Sequence, residues 1–295
     1  MTREQRIENA RQTLDIVERG VYAVNGREVN IADAVSRSIE NTVLYTPESL
    51  TGILKQAEQK IVANCKTVIT VVNQTTMEAL RAIPDTPTTS IKNQKSKIKN
   101  CKTGCLNFAS AKNPGGGFLS GALAQEECLA AASSLYPSQL KCMEMYEYNR
   151  SRKTNLYSDY MMYSPGVVFI KDDNGRLLEK PYQADVLTSP AVNISAIKQK
   201  NPAELALVEQ TMMVRIDKML AVFVMHDVEN LVLGAWGCGV FQNAPHDVAR
   251  YFDGFLTGNG KYAGCFRRVV FAVFDRSKNR ENFDAFRVVL EECKF

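Results

Sequence analysis

Gly104-Cys-Leu-Asn-Phe-Ala109, Asn113-Pro-Gly-Gly-Gly-Phe118 and Ala124-Gln-Glu-Glu127 follow one another along the chain as strand, glycine loop and helix start. Three successive glycines remove every Cβ between Gly115 and Gly117, so backbone N–H groups can close on a bulky anion. Eight residues beyond Gly117, Gln125 opens a helix whose first turn also carries Glu126 and Glu127. Two carboxylates beside an anion cradle bring acid/base chemistry to a phosphorylated sugar or nucleotide. Open α/β sheets are built from such strand–loop–helix units, and they bind ligands outside the carboxyl ends of their strands.

The same alternation extends in both directions. Upstream, residues 2–19 read as an amphipathic helix with Ile7, Ala10, Leu14 and Val17 on one face. Asn25-Gly26 marks a hairpin, and Thr46-Pro47 starts a helix running to about Val62. Thr67–Val72 is a β-branched strand, Thr75–Ile83 a helix and Pro84–Lys99 a polar, lysine-rich connection. Downstream, a helix is expected from Ala124 to Leu135. The strands Gly166–Lys171 and Gln183–Leu187 flank a turn at Asp173-Asn174-Gly175. One long helix is expected from Pro202 to His226. Asn230–Gly234, Ala244–Leu256, Arg268–Phe274 and Glu281–Cys293 then read as strand, helix, strand, helix. The pattern predicts a three-layer α/β sandwich around a largely buried mixed sheet, residues 64–295, behind a helical lead-in over residues 1–63.

Composition excludes several classes. The 295 residues are 45% hydrophobic and 23% charged, ordinary for a globular protein large enough to need neither disulfides nor metal. The net charge of +4 suits an anionic substrate but not a sequence-specific nucleic-acid binder. No apolar signal core or run of 18 apolar residues occurs, so an intracellular, cytoplasmic protein without a membrane span is expected. Eight scattered cysteines then read as reduced thiols, and with only His226 and His246 available no zinc set completes itself.

A second glycine cluster, Gly234 to Gly239, also lies between a strand and a helix, so both loops are positioned to face one crevice. Tight turns without a ligand are the plain alternative. Familiar phosphate motifs fail here: Ala122 stands where a P-loop needs Lys, and Ser120 and Gln242 interrupt a dinucleotide fingerprint. Glu126 and Glu127 have a plain reading too, as acidic residues complementing a helix dipole. Against it, a bound pyrophosphate would keep a nearby carboxyl protonated, fit to hand a proton to a departing sugar oxygen. Trp236 is either a base-stacking platform or a core residue. Cys238 as a nucleophile lacks a histidine at a partner spacing, His226 reads as a capping or packing residue, and Lys92, Lys95, Lys97 and Lys99 as a solvated loop.

Asn107-Phe-Ala-Ser-Ala-Lys-Asn113-Pro-Gly-Gly-Gly-Phe118, Ala124-Gln-Glu-Glu127, Ser134-Leu-Tyr-Pro137, and Leu233-Gly-Ala-Trp-Gly-Cys-Gly-Val-Phe241-Gln-Asn243 with Val248-Ala-Arg250 resemble the microbial-type poly(ADP-ribose) glycohydrolases. The similarity runs from about residue 60 to the C-terminus and departs at Ser110, where Asn is the common residue. The resemblance implies a macrodomain fold. It implies Glu127 as catalytic acid, Glu126 as a second catalytic residue orienting the ribose hydroxyls, and Gln125 as a substrate-binding residue. Asn113, Gly115, Gly116, Gly117 and Phe118 would position the distal ribose. Gly237, Cys238, Gly239, Val240 and Phe241 would wrap the diphosphate, with Phe241 on the ribose. The substrate would be poly(ADP-ribose) or ADP-ribosylated protein, the product ADP-ribose, and no metal or cofactor would be needed by a protein acting as a monomer. Two rival readings use the same cradle: a non-catalytic ADP-ribose reader, which has no need of paired carboxylates, and a hydrolase of mono-ADP-ribosyl groups.

Overall fold

The computed structural model describes residues 1–61, 65–83 and 101–292, so the lysine-rich connection and Cys293 lie outside the described residues. In chain order the elements are α1 (Arg3–Arg19), β1 (Val21–Val24), β2 (Arg27–Asn30), α2 (Ala32–Glu40), β3 (Val43–Tyr45), α3 (Pro47–Lys60), β4 (Val68–Val72), α4 (Thr76–Ala82) and β5 (Thr103–Phe108). After the glycine loop come α5 (Gln125–Ala132), α6 (Leu135–Leu140), α7 (Met143–Ser151), β6 (Met161–Lys171), β7 (Leu177–Ser189) and α8 (Ile194–Lys200). The chain then runs through α9 (Val208–Met225), β8 (Asn230–Leu233), α10 (Pro245–Leu256), β9 (Arg268–Ala272) and α11 (Glu281–Arg287).

Among the described residues a seven-stranded sheet runs in the order β3-β6-β7-β5-β8-β9-β4. From β7 to β4 each neighbouring pair is parallel, whereas β6 pairs antiparallel with both β7 and β3. The central strands are buried on both faces, which is why their sequences read as continuous apolar runs. Alternation still sorts the side chains. Leu106, Leu231, Leu233 and Phe271 pack with α3, α9 and α10, while Cys105, Val232 and Val270 pack with α4 and α5 on the other face. Helices therefore cover both sides of a mixed sheet, the three-layer sandwich that the strand and helix pattern predicts. No helix among the described residues is long and apolar enough to cross a membrane.

The N-terminal segment is more than a helical lead-in, since β3 forms an edge of the main sheet and α3 packs against the core beside α9. Three residues are too few to display alternation, so Val43–Tyr45 carries no strand signal of its own. The predicted helix over 124–135 stops at Ala132, because Ser133 turns extended and bridges Phe169 of β6. Its hydroxyl donates back to Leu129 O at 2.7 Å and caps the end. Likewise β6 begins at Met161 rather than Gly166. Pro165-Gly166 reads as a break, but the register shift between Ser164 and Val167 absorbs it as a bulge with Gly166 at φ +60°. The segment 202–226 also divides, into a 3-10 turn at Pro202–Leu207 and then α9.

Candidate active site

Because β5 and β8 are parallel neighbours, the loops that leave their carboxyl ends emerge at the same edge of the sheet. Direct contacts tie these ends to that of β7. Ala109 N and Trp236 Nε1 both donate to Ser189 O, at 3.3 and 3.0 Å. A Cβ on Gly234 would stand 3.0 Å from the ring of Phe108. Trp236 is fully buried and packs toward Phe252, so of its two readings the core residue is the one realised.

The glycine loop folds onto the start of α5. Gly115 and Gly116 take left-handed backbone, at φ +65° and +59°, and Gly116 N donates to Asn113 O at 3.0 Å. Glu127 reaches back to this loop: its Oε1 accepts from Gly117 N at 2.9 Å. Gly116 is pressed against the same carboxylate, since a Cβ there would collide with Glu127 Oε1 and lie 2.9 Å from its Cδ. Asn113 stands exposed at the lip. Phe118 lies beneath the loop at 2% exposure, its ring 4.8 Å from that of Tyr136, and supports Gly115 from below.

Glu126 is 2% exposed and lies deeper, with its Oε2 still 3.2 Å from where a Cβ on Gly116 would stand. Its Oε1 accepts from Asn107 Nδ2 at 3.1 Å and Gln139 Nε2 at 2.8 Å, and its Oε2 from Ser110 N at 2.6 Å. These three donors favour the carboxylate, but burial outweighs them and pushes the group up to about 8, helped slightly by the charge of Glu127. The raised carboxyl is thus Glu126, and its cause is desolvation by the protein. Gln125 spends its amide on the scaffold, accepting from Phe108 N and donating to Thr76 Oγ1 and Leu106 O, so it locks α5 to β5 rather than facing the crevice.

In the second loop Gly237, at φ +76°, has no room for a Cβ: Ala191 Cβ would be 2.5 Å away and Asn243 Nδ2 2.6 Å. Asn243, buried, donates to Gly237 O and Val192 O and fixes the loop's shape. Gly239 faces open space and Val240 is 80% exposed, so the tip of the loop projects from the sheet edge. Cys238 is inert by environment: burial pushes its thiol up to about 12. The ring of Phe241 lies 6.0 Å from that of Tyr157, itself at φ +60° and linked through its hydroxyl to Asn193. Fully buried Arg215 holds the backbone on either side, donating to Leu156 O and Pro190 O and pairing with Asp159.

Several of these supports escape a reading of the sequence. Asn107 and Ser110 lie within the quoted motif but show their roles only through contact with Glu126. Gln139, Asn193 and Arg215 carry no local signal, because each acts on a residue far along the chain. Ser110, in the place of the usual Asn, still accepts from Asn113 N at 3.2 Å and so keeps the turn. His226 stacks on Tyr163 with ring centroids 3.6 Å apart, bonds Tyr45 through Nε2, and is held near 4 by burial, a packing residue remote from the two loops. Among the described residues no cluster of three or more His, Cys, Asp or Glu is placed to hold a metal ion.

Comparison with known proteins bears on the same residues. The family model described as "Microbial-type PARG, catalytic domain" matches residues 10–172, more than half of the chain. A search of curated proteins returns no match. Among solved structures, poly(ADP-ribose) glycohydrolase from Thermomonospora curvata superposes with a TM-score of 0.87 at 41% identity, covering 97% of this chain and 99% of that one. The same protein bound to the inhibitor ADP-HPD gives 0.83 at 41% identity, covering 96% and 98%. The Deinococcus radiodurans glycohydrolase in complex with ADP-ribose gives 0.78 at 35% identity, covering 92% and 99%. The likeness reaches back to residue 10, well before the position near 60 from which the motifs are visible. With this match and near-complete cover at such identity, the chain belongs to the microbial-type poly(ADP-ribose) glycohydrolase family.

Proposed function

We propose that this chain hydrolyses the ribose–ribose O-glycosidic bonds of poly(ADP-ribose) with Glu127 carrying the proton in both halves of the reaction. One observation carries that assignment: Glu127 Oε1 rests on Gly117 N–H, inside the glycine loop, while every oxygen of Glu126 is occupied by protein donors. Glu127 protonates the departing 2′-oxygen of the neighbouring ADP-ribose unit. Cleavage leaves an oxocarbenium-like ribose, and the same carboxylate then takes a proton from the attacking water. Glu126 orients the ribose hydroxyls through Oε2, which takes a single protein donor and lies beside Gly116. Gly115–Gly117 and Asn113 hold the distal ribose from one side, and Gly237–Phe241 wraps the diphosphate from the other. The relatives solved with ADP-ribose and with ADP-HPD support a ligand of this chemistry. The substrate is poly(ADP-ribose), free or on an ADP-ribosylated protein, and the product ADP-ribose, released by an intracellular monomer without a dissociable cofactor.

Glu127→Gln keeps the size of the side chain and removes its acid/base function. It is expected to lower ADP-ribose release from polymer by about 10²- to 10⁴-fold while calorimetry still detects ADP-ribose binding. Turnover close to that of the parent protein would remove Glu127 from the mechanism.

A further inference from the structure

The glycine loop is gripped from behind by α1, more than a hundred residues earlier in the chain. Arg3 Nε donates to Ser120 O at 2.9 Å and Arg6 Nε to Gly121 O at 2.7 Å. Those carbonyls close a single 3-10 turn whose start is Gly117, since Ser120 N and Ala122 N both donate to Gly117 O, at 3.0 and 3.1 Å. Gly117 N, at that same residue, holds Glu127 Oε1. The grip is close: Gly121, at φ +75°, has Arg3 O 2.7 Å and Ile7 Cγ1 3.1 Å from where a Cβ would lie. Further along, α1 reaches the helix that bears the carboxylates, as Thr13 Oγ1 donates to Ala131 O at 2.6 Å and Ala10 shares a buried cluster with Phe118 and Ala130. Finally, Lys171 of β6, fully buried, clasps Asn9 through O and Oδ1, each at 2.8 Å, which anchors α1 to the sheet.

An isolated 3-10 turn has poor hydrogen-bond geometry and little reason to hold one shape. Charge-assisted bonds from two guanidinium groups supply the missing constraint. We propose that Arg3 and Arg6 are positioning residues for catalysis, pinning the far end of the Gly117–Gly121 turn so that Gly117 N–H keeps Glu127 at its reacting position. This rests on Glu127 being the acid/base group. Neither arginine is assigned a contact with substrate; both act through the turn.

The test uses the full chain. Arg6→Met and Arg3→Met each remove a donor while keeping length, and kcat on polymer is expected to fall about 10- to 100-fold for Arg6→Met, the cost of a carboxylate displaced by about 1 Å. KM and the Kd for ADP-ribose should stay within about threefold, since the loss is felt in the chemical step. Arg6→Lys, which can still reach one carbonyl, should recover most of the rate. The control is Ile16→Ala, on the part of α1 that packs against Val168 and Ile170 away from the loop. It should lower Tm at least as much as Arg6→Met with kcat unchanged. An Arg6→Met protein with parental kcat, or Ile16→Ala losing rate in step with its Tm, overturns the proposal. Should Arg6→Met not fold, Arg3→Met decides by the same readings. Glu127→Gln run in parallel separates the two ideas: near-parental turnover there sinks the acid/base assignment, whereas a Glu127→Gln slowed about 100-fold or more beside a fully active Arg6→Met sinks only the role of α1.

Discussion

Replacing Gly116 by alanine perturbs the proposed site with a single carbon atom, and the consequences can be worked from its surroundings. At φ +59° any Cβ meets its own backbone, a strain of about 1–2 kcal/mol for an L residue. In a domain of this size that corresponds to a Tm lower by about 2–8 °C. Gly26 provides the matched control: it sits at φ +73° with nothing within 4 Å of the added carbon, so Gly26→Ala carries the backbone strain alone. At Gly116 the new carbon would also stand 2.9 Å from Glu127 Cδ and 3.2 Å from Glu126 Oε2. Buried Glu126 cannot retreat, so the Glu127 carboxylate must leave Gly117 N–H. A displacement of about 1 Å costs about 100-fold in rate, or about 2.7 kcal/mol on the barrier. The assay is initial release of ADP-ribose from polymer, with Tm followed by circular dichroism. Both variants should lose comparable thermal stability, and Gly116→Ala alone should lose turnover. Equal kcat in the two would refute the placement of Glu127 beneath the glycine loop.

Glu126 predicts a pH dependence of stability. In the fold it holds its proton to about pH 8, against an ordinary 4.5, so the unfolded chain binds fewer protons across that interval. Its contribution is complete below about pH 4.5, shrinks as pH rises and is gone above about pH 8, a loss on the order of a few kcal/mol. Urea unfolding at pH 5 and pH 8 should show the decline, and Glu126→Gln should flatten it; the same slope in both proteins would count against a buried acid. Cys238→Ala should keep polymer turnover within about threefold, because a thiol held near 12 is protonated and no nucleophile at neutral pH. A variant without activity would revive the thiol.

Much of the architecture is readable along the chain because the periodicities of strand and helix survive burial. Thr67–Val72, Gly104–Ala109, Asn230–Gly234 and Arg268–Phe274 all fall on observed strands. Other features are hidden for identifiable reasons. Val43–Tyr45 is too short to alternate, Pro165-Gly166 imitates a strand end where the sheet accepts a bulge, and the break at Ser133 depends on a partner in β6. The support that α1 gives the glycine loop is likewise invisible locally, since arginines at 3 and 6 look like any solvated helix face until Ser120 and Gly121 are brought against them.

The two glutamates mark the division most sharply. Sequence alone determined that glycine loops follow two strands and that paired carboxylates follow the first of them, because removing Cβ atoms and starting a helix are local acts. Neighbouring residues on a helix point about 100° apart, so the two carboxyls could not share one environment. Which was which only the tertiary structure decided. Asn107 from β5, Ser110 from the loop and Gln139 from α6 converge on Glu126 and wall it from water, leaving Glu127 to meet Gly117. Burial is a property of what distant segments bring, and it is burial that lifts the Glu126 carboxyl above its ordinary range.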